Sequence, residues 1–205
     1  MEMLYAVAGW RAPFVLVNVS RALAALITLE PDHNDILAAR DSGFRNCIAR
    51  LAKRIDSVLL AYRLAEDARV RLPVIVNLDG FYLLHPGTGD DPDSRAVQQF
   101  LPPFDPHMHC FSCQRADQPS GMVLGGSAYS YFRYEMHLPP CKRQRFMTKW
   151  AQSSKALLCR SYPAVDAYRC EDAEWVFSSP GSFATKAKAA VGSVAGRRLG
   201  DRVTG

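Results

Sequence analysis

Apolar residues crowd the first thirty positions of the chain and then settle into recognisable periods. Phe14-Val-Leu-Val-Asn-Val19 is a short run rich in β-branched residues and predicts a strand. Ser20 can cap a short helix through Leu29, which Pro31 would stop, and Asp32 to Asn34 offer a second cap. Phe44, Ile48, Leu51, Ile55, Val58, Tyr62 and Ala65 recur at alternating steps of four and three. That spacing predicts one face of a long helix from about Asp41 to Arg71, with Arg50, Lys53, Arg54, Asp56, Glu66 and Asp67 on the other. Three heptads also permit a coiled-coil seam, although packing on the protein's own sheet is the commoner use of such a helix. After Pro73, Val74 to His85 reads as a β-hairpin turning at Asp79-Gly80, because that dipeptide suits the positive φ angles of a type I′ turn.

The second half is more broken. A short helix is predicted near Ser94 to Phe100, between Pro-rich loops at 86–94 and 101–106. Between Met122 and Leu138 the pattern changes to period two, with Phe132, Tyr134, Met136 and Leu138 on one face and Tyr131, Arg133, Glu135 and His137 on the other. A basic amphipathic helix follows Pro140, Ala173 to Phe177 suits one more strand, and an Ala-, Gly- and Lys-rich tail begins at Phe183. The expected fold class is α+β: an antiparallel sheet carrying a long amphipathic helix, then a basic C-terminal helix and a loose tail. The expected organisation is one domain over 1–182 and a weakly helical or disordered basic tail over 183–205.

Charge sharpens this picture. Residues 1–100 hold 11 Lys/Arg and 12 Asp/Glu, whereas 101–205 hold 14 and 8, so the whole excess of +5 lies in the second half. Such asymmetry suits an anionic partner, RNA or an acidic protein surface, and equally a solvated basic face. Six cysteines in a chain of 205 residues do not make a secreted disulfide scaffold, so reduced thiols and an intracellular setting are expected. No run reaches the ~18 apolar residues of a transmembrane segment. Glu2 stands where a secretory signal is basic, while the acid-free stretch from Met3 to Leu29 with Arg11 and Arg21 resembles an import segment for a mitochondrial or other organelle matrix.

Two constellations carry chemical potential. Cys110 and Cys113 have the two-residue gap of a zinc knuckle, and His137 and Cys141 supply a second N/S pair, so together they suit one structural zinc. The alternative for these cysteines is simple apolar packing. Lys142, Arg143, Arg145, Lys149, Lys155 and Arg160, with Arg197 and Arg198 in the tail, supply phosphate-binding cations, and Tyr129, Tyr131, Tyr134 and Trp150 supply stacking surfaces or core. No P-loop, Rossmann fingerprint or oriented nucleophile pair accompanies them, which leaves enzymatic activity open with the balance against it.

One local resemblance adds a competing reading. Cys110-Phe-Ser-Cys113, Pro119-Ser-Gly121 and Met122-Val-Leu124 are similar to the CFxC…PxG stretch of hotdog-fold thioesterases, without the His-Gly-Gly catalytic motif of that family. The resemblance implies a hotdog-like acyl-CoA thioesterase or its inactive relative. The leading expectation from the residues is a non-enzymatic structural or interaction subunit of a larger intracellular assembly, contacting RNA or another anionic partner and other subunits through its basic second half.

Overall fold

The computed structural model describes residues 2–24, 28, 30, 32–48, 54–67, 70–80, 92–104, 126–137, 165–171 and 173–195. In chain order these form helix α1 (Glu2–Gly9), strand β1 (Val15–Ser20), helix α2 (Asn34–Ala38), a 3-10 turn (Arg40–Ser42), strand β2 (Arg45–Ile48), helix α3 (Arg54–Glu66), strand β3 (Val74–Asp79) and helices α4 (Ser94–Phe100), α5 (Gly126–His137) and α6 (Gly181–Ala195).

The three strands make one parallel sheet in the order β1-β3-β2, so the fold is α/β and the expected antiparallel sheet is corrected. β3 lies in the centre, every residue of it is buried, and its near-continuous apolar sequence is that of a parallel strand covered on both faces. Both edges of β3 are taken, by β1 along residues 74–79 and by β2 along 74–77. The first arm of the expected hairpin is thus a central parallel strand, and its return arm, 81–85, lies outside the described residues. Gly80 is needed for a close approach. Its N–H donates to the Ser20 carbonyl at 2.8 Å, and a Cβ there would collide with that same oxygen.

The long helix expected over 41–71 is also corrected. Its first part is the 3-10 turn and β2, and among the described residues of that span only Arg54–Glu66 is α-helical. The buried face of α3 is Ala61, Leu64 and Ala65, while Ile55 and Tyr62 of the expected face are exposed. Small residues at 61 and 65 let the helix sit close on the sheet, where it packs against all three strands. The chain leaves α3 through a left-handed Arg71 (φ 43°), whose N–H and that of Val70 bond the Asp67 carbonyl, and Pro73 then leads into β3.

The core gathers Leu72, Val74, Ile75 and Val76, the α3 residues, Ala8 of α1, Ile36 of α2 and Phe44. Burial of each large aliphatic side chain contributes about 1.5–3 kcal/mol, so β3 alone anchors the sheet. α1 and β1, which fall largely within the segment that resembles an import signal, pack into this unit through Leu4, Val7, Ala8, Val15 and Leu16. The period-two stretch expected to be a strand is instead α5, on which Tyr129, Tyr131 and Tyr134 are exposed. Arg133 ties this helix to the sheet unit: its Nη2 donates to the Asp41 carbonyl at 2.7 Å, and its guanidinium lies 5.3 Å from the Tyr5 ring centroid. Among the described residues no helix is long and apolar enough to cross a membrane.

Candidate functional site

β1 and β3 end on the same sequence pattern. Val-Leu-Val-Asn-Val-Ser and Val-Ile-Val-Asn-Leu-Asp run in parallel register, so Asn18 pairs with Asn77 and Ser20 with Asp79. Side chains two apart share a face, and the face that starts with Leu16 and Ile75 therefore turns polar at its carboxyl end. That end of a parallel sheet is where α/β proteins hold ligands.

The polar groups converge there, the β3 side of the cluster removed from water and Asn18, His33 and Asp35 half-buried beside it. Ser20, Asn77 and Asp79 are fully buried. The Asn18 amide nitrogen lies 2.7 Å from Asn77 Oδ1, 2.9 Å from Asp35 Oδ2 and 3.2 Å from Ser20 Oγ. Ser20 Oγ lies 2.6 Å from Asn77 Oδ1 and 3.0 Å from Asp35 Oδ1. α2 places Asp35 over β1, and Asp35 Oδ1 also accepts the Ile36 N–H at 2.7 Å. Two amide protons and one hydroxyl proton thus serve all five of these side-chain contacts, and the cluster is rich in acceptors. Asn77 Nδ2, by contrast, is buried with no partner. The arrangement suits a neutral or cationic group that both donates and accepts, and it repels an anion.

Asp79 forms a second half of the cluster. His33 Nε2 sits 2.7 Å from Asp79 Oδ1, and the Ser182 N–H donates to Asp79 Oδ2 at 2.5 Å. Burial alone would raise the Asp79 carboxyl; the Ser182 side chain and N–H, with His33, outweigh that and hold it below the ordinary aspartate range. A strand carboxylate therefore caps the first turn of α6, 103 residues further along the chain. Gly181 makes the contact feasible, because it has a left-handed φ of 63° and a Cβ there would press into the Asp79 carboxylate. Beside Asn18 and Asp35 opens a cavity of about 170 Å³ that is otherwise apolar, walled by Leu4, Leu16, Ile36, Ala39 and Ile75.

None of these residues was singled out by the sequence as a site. Ser20 reads as a helix cap and Asn77 and Asp79 as parts of a hairpin; the available signal was the matched Asn-x-polar ending of two apolar runs. Of the residues that were singled out, His137 is the last residue of α5. Cys110, Cys113, Cys141, Lys142, Arg143, Arg145, Lys149, Lys155, Arg160, Arg197 and Arg198 lie outside the described residues. Among the described residues no group of three His, Cys, Asp or Glu side chains could hold a metal ion.

Residues 1–135 match the family described as pyruvate flavodoxin/ferredoxin oxidoreductase, thiamine diphosphate-binding. The chain is 36% identical over 185 residues to pyruvate synthase subunit PorA of Methanothermobacter thermautotrophicus, covering 88% of this chain and 47% of that protein. It is 33% identical over 186 residues to the Thermotoga maritima PorA subunit, covering 88% and 46%. It is 30% identical over 197 residues to ketoisovalerate oxidoreductase subunit VorA of Pyrococcus furiosus, covering 93% and 48%. The chain spans about half the length of these relatives.

These matches overturn several expectations. The hotdog resemblance covered some fifteen residues, against 135 for the family match, and it is withdrawn together with the thioesterase reading. The non-enzymatic, RNA-contacting subunit is likewise withdrawn, because the relatives are oxidoreductase subunits. The expected zinc gives way to thiamine diphosphate, the cofactor by which the family is described.

The described residues do not by themselves fit that cofactor. The cavity is smaller than the ~300–1,000 Å³ usual for a ligand of its class. Asp35 and Asp79 would repel a diphosphate, and no cation site to offset them occurs among the described residues. What they offer is a rigid polar wall at the end of the sheet.

Proposed function

Because the chain belongs to the thiamine diphosphate-binding family of pyruvate flavodoxin/ferredoxin oxidoreductases, we propose that it is part of a multi-subunit 2-oxoacid oxidoreductase. In that enzyme it supplies the α/β scaffold and the polar strand-end wall of a cofactor site that other segments or subunits complete. The observation carrying this reading is the paired Asn18/Asn77 and Ser20/Asp79 ending of β1 and β3, acceptor-rich, with Ser20, Asn77 and Asp79 fully buried, within the matched region.

The relatives divide between pyruvate and ketoisovalerate enzymes, which makes a short 2-oxoacid the expected substrate class. This chain's own residues would act by position. Asn18, Ser20, Asp35 and Asn77 hold one another in a fixed constellation, and a rigid element places a site more accurately than a loop does. No bond-making step is assigned to them.

The test is turnover by the native complex, isolated from its source cells through a tag on this chain. Reduction of ferredoxin or a viologen dye that depends on pyruvate or ketoisovalerate supports the reading. A tagged complex that reduces neither acceptor with either 2-oxoacid refutes it.

A further inference from the structure

Trp175, Val176 and Phe177 are the most exposed large apolar run in the described chain, at 87, 67 and 75%. They carry strong β-forming side chains, yet they have no regular secondary structure and no neighbouring strand among the described residues. A strand without neighbours is not stable alone, and large contiguous apolar exposure marks an interaction surface.

The run is not a loose end. Upstream, Asp166 pairs with Lys188 of α6 at 2.5 Å, and the Lys188 ammonium lies 5.6 Å from the Tyr168 ring centroid. Downstream, four residues after Phe177, α6 begins with Gly181 seated on Asp79 of β3. The apolar tripeptide is thus held between two anchors on one helix, next to the polar end of the sheet. α6 is itself half-covered, with Phe183 and Val191 each 40% exposed.

A strand-forming run, a short loop over 178–180 and a 15-residue helix that opens on Gly181-Ser182 make a strand–loop–helix unit of the kind that builds parallel sheets. Among the described residues no strand covers the run, and Phe183 and Val191 of the helix are part-exposed. We propose that Trp175–Phe177 is a docking strand, which pairs by β-augmentation with an apolar strand edge presented by another stretch of polypeptide. That stretch also covers Phe183 and Val191. The candidate supplier is the portion of the longer relatives that lies outside the matched region, about half of their length. Exposed Glu171 and Glu174 precede the run and favour a basic rim on the incoming edge.

The test co-expresses this chain, with Trp10→Phe and Trp150→Phe so that Trp175 is the sole indole, with the unmatched portion of the Methanothermobacter relative. The expected result is a stable complex in which Trp175 emission shifts to the blue and amides 174–178 exchange at least about tenfold more slowly than in the chain alone. Val176→Pro removes one N–H from the docking strand and should abolish the complex while leaving the circular dichroism of the chain unchanged. Failure to form a complex, a complex in which Trp175 stays in water, or one indifferent to Val176→Pro overturns the proposal. So does a blue shift of the chain alone that grows with its own concentration, since the cover is then a second copy. None of these outcomes bears on the oxidoreductase reading, which turnover of the native complex decides.

Discussion

Removing the Asp79 carboxylate should detach α6 from the sheet. In Asp79→Ala, the Ser182 N–H loses its 2.5 Å acceptor and His33 Nε2 loses its 2.7 Å partner. Charge-assisted hydrogen bonds each contribute about 1.5–3 kcal/mol, and loss of a helix cap alone costs about 0.5–2 kcal/mol. The first turn of α6 is partly open to water, which can rehydrate the Ser182 N–H, so the sum falls toward the low end at roughly 2–4 kcal/mol. For a chain of this size that corresponds to a fall in Tm of roughly 5–15 °C. Asp79→Asn keeps an acceptor of the same shape without the charge and should lose about half as much. Thermal unfolding followed by circular dichroism gives the first number, and amide exchange over 182–186 shows whether the helix start opens first. An Asp79→Ala protein melting within about 2 °C of the parent, with unchanged exchange at 182–186, refutes the capping argument.

Further outcomes follow from the same geometry. Because the Asp79 carboxyl is held low, its stabilisation is complete above the unfolded aspartate value near 3.9 and is lost as pH falls through the folded one. The Tm gap between parent and Asp79→Asn should therefore be constant at neutral pH and narrow as pH falls below the unfolded aspartate value; a gap that does not narrow in acid contradicts this. Glu66 is raised by burial, with Arg63 opposing, so the parent loses stability as pH rises above the unfolded glutamate value. Glu66→Gln should melt above the parent at pH 7 and level with it near pH 4, as calorimetry at the two pH values would show. Gly80→Ala drives a methyl into the Ser20 carbonyl and should lower stability by about 1–3 kcal/mol in urea titration; a neutral result would remove the close approach from the account. Asn18→Ala should destabilise more than Asn77→Ala, because Asn18 brings two of the three protons to an acceptor-rich cluster; the reverse order in matched denaturant curves would refute that proton count.

Local signals in the sequence were read well where the structure is local. The strand expected at 14–19 is β1, and the short helix expected near Ser94 to Phe100 is α4. The errors occur where a local pattern competes with a distant partner. Val74 to Asp79 has the apolar run of a hairpin arm, but the strands that pair with it are β1 and β2, both parallel and both distant in sequence. The apolar spacing from Phe44 to Ala65 runs without a break through a strand and a helix, since steps of four and three do not reveal where one ends. The alternation over 131–137 lies on a helix that Arg133 secures to Asp41, a contact between residues 92 apart. The site was hidden for the same reason. Asn18, Ser20, Asn77 and Asp79 are ordinary turn and cap residues singly, and become a cluster only when parallel pairing sets the two strands in register.

The central claim is that this chain forms one wall of a thiamine diphosphate site that other polypeptide completes. Thiamine diphosphate content, measured as thiochrome fluorescence after acid release, tests it most directly when taken on the purified chain and on the native tagged complex. The purified chain should retain no cofactor and the complex a near-stoichiometric amount. A complex free of thiamine diphosphate after purification in its presence would refute a shared site, and so would tight binding by the isolated chain.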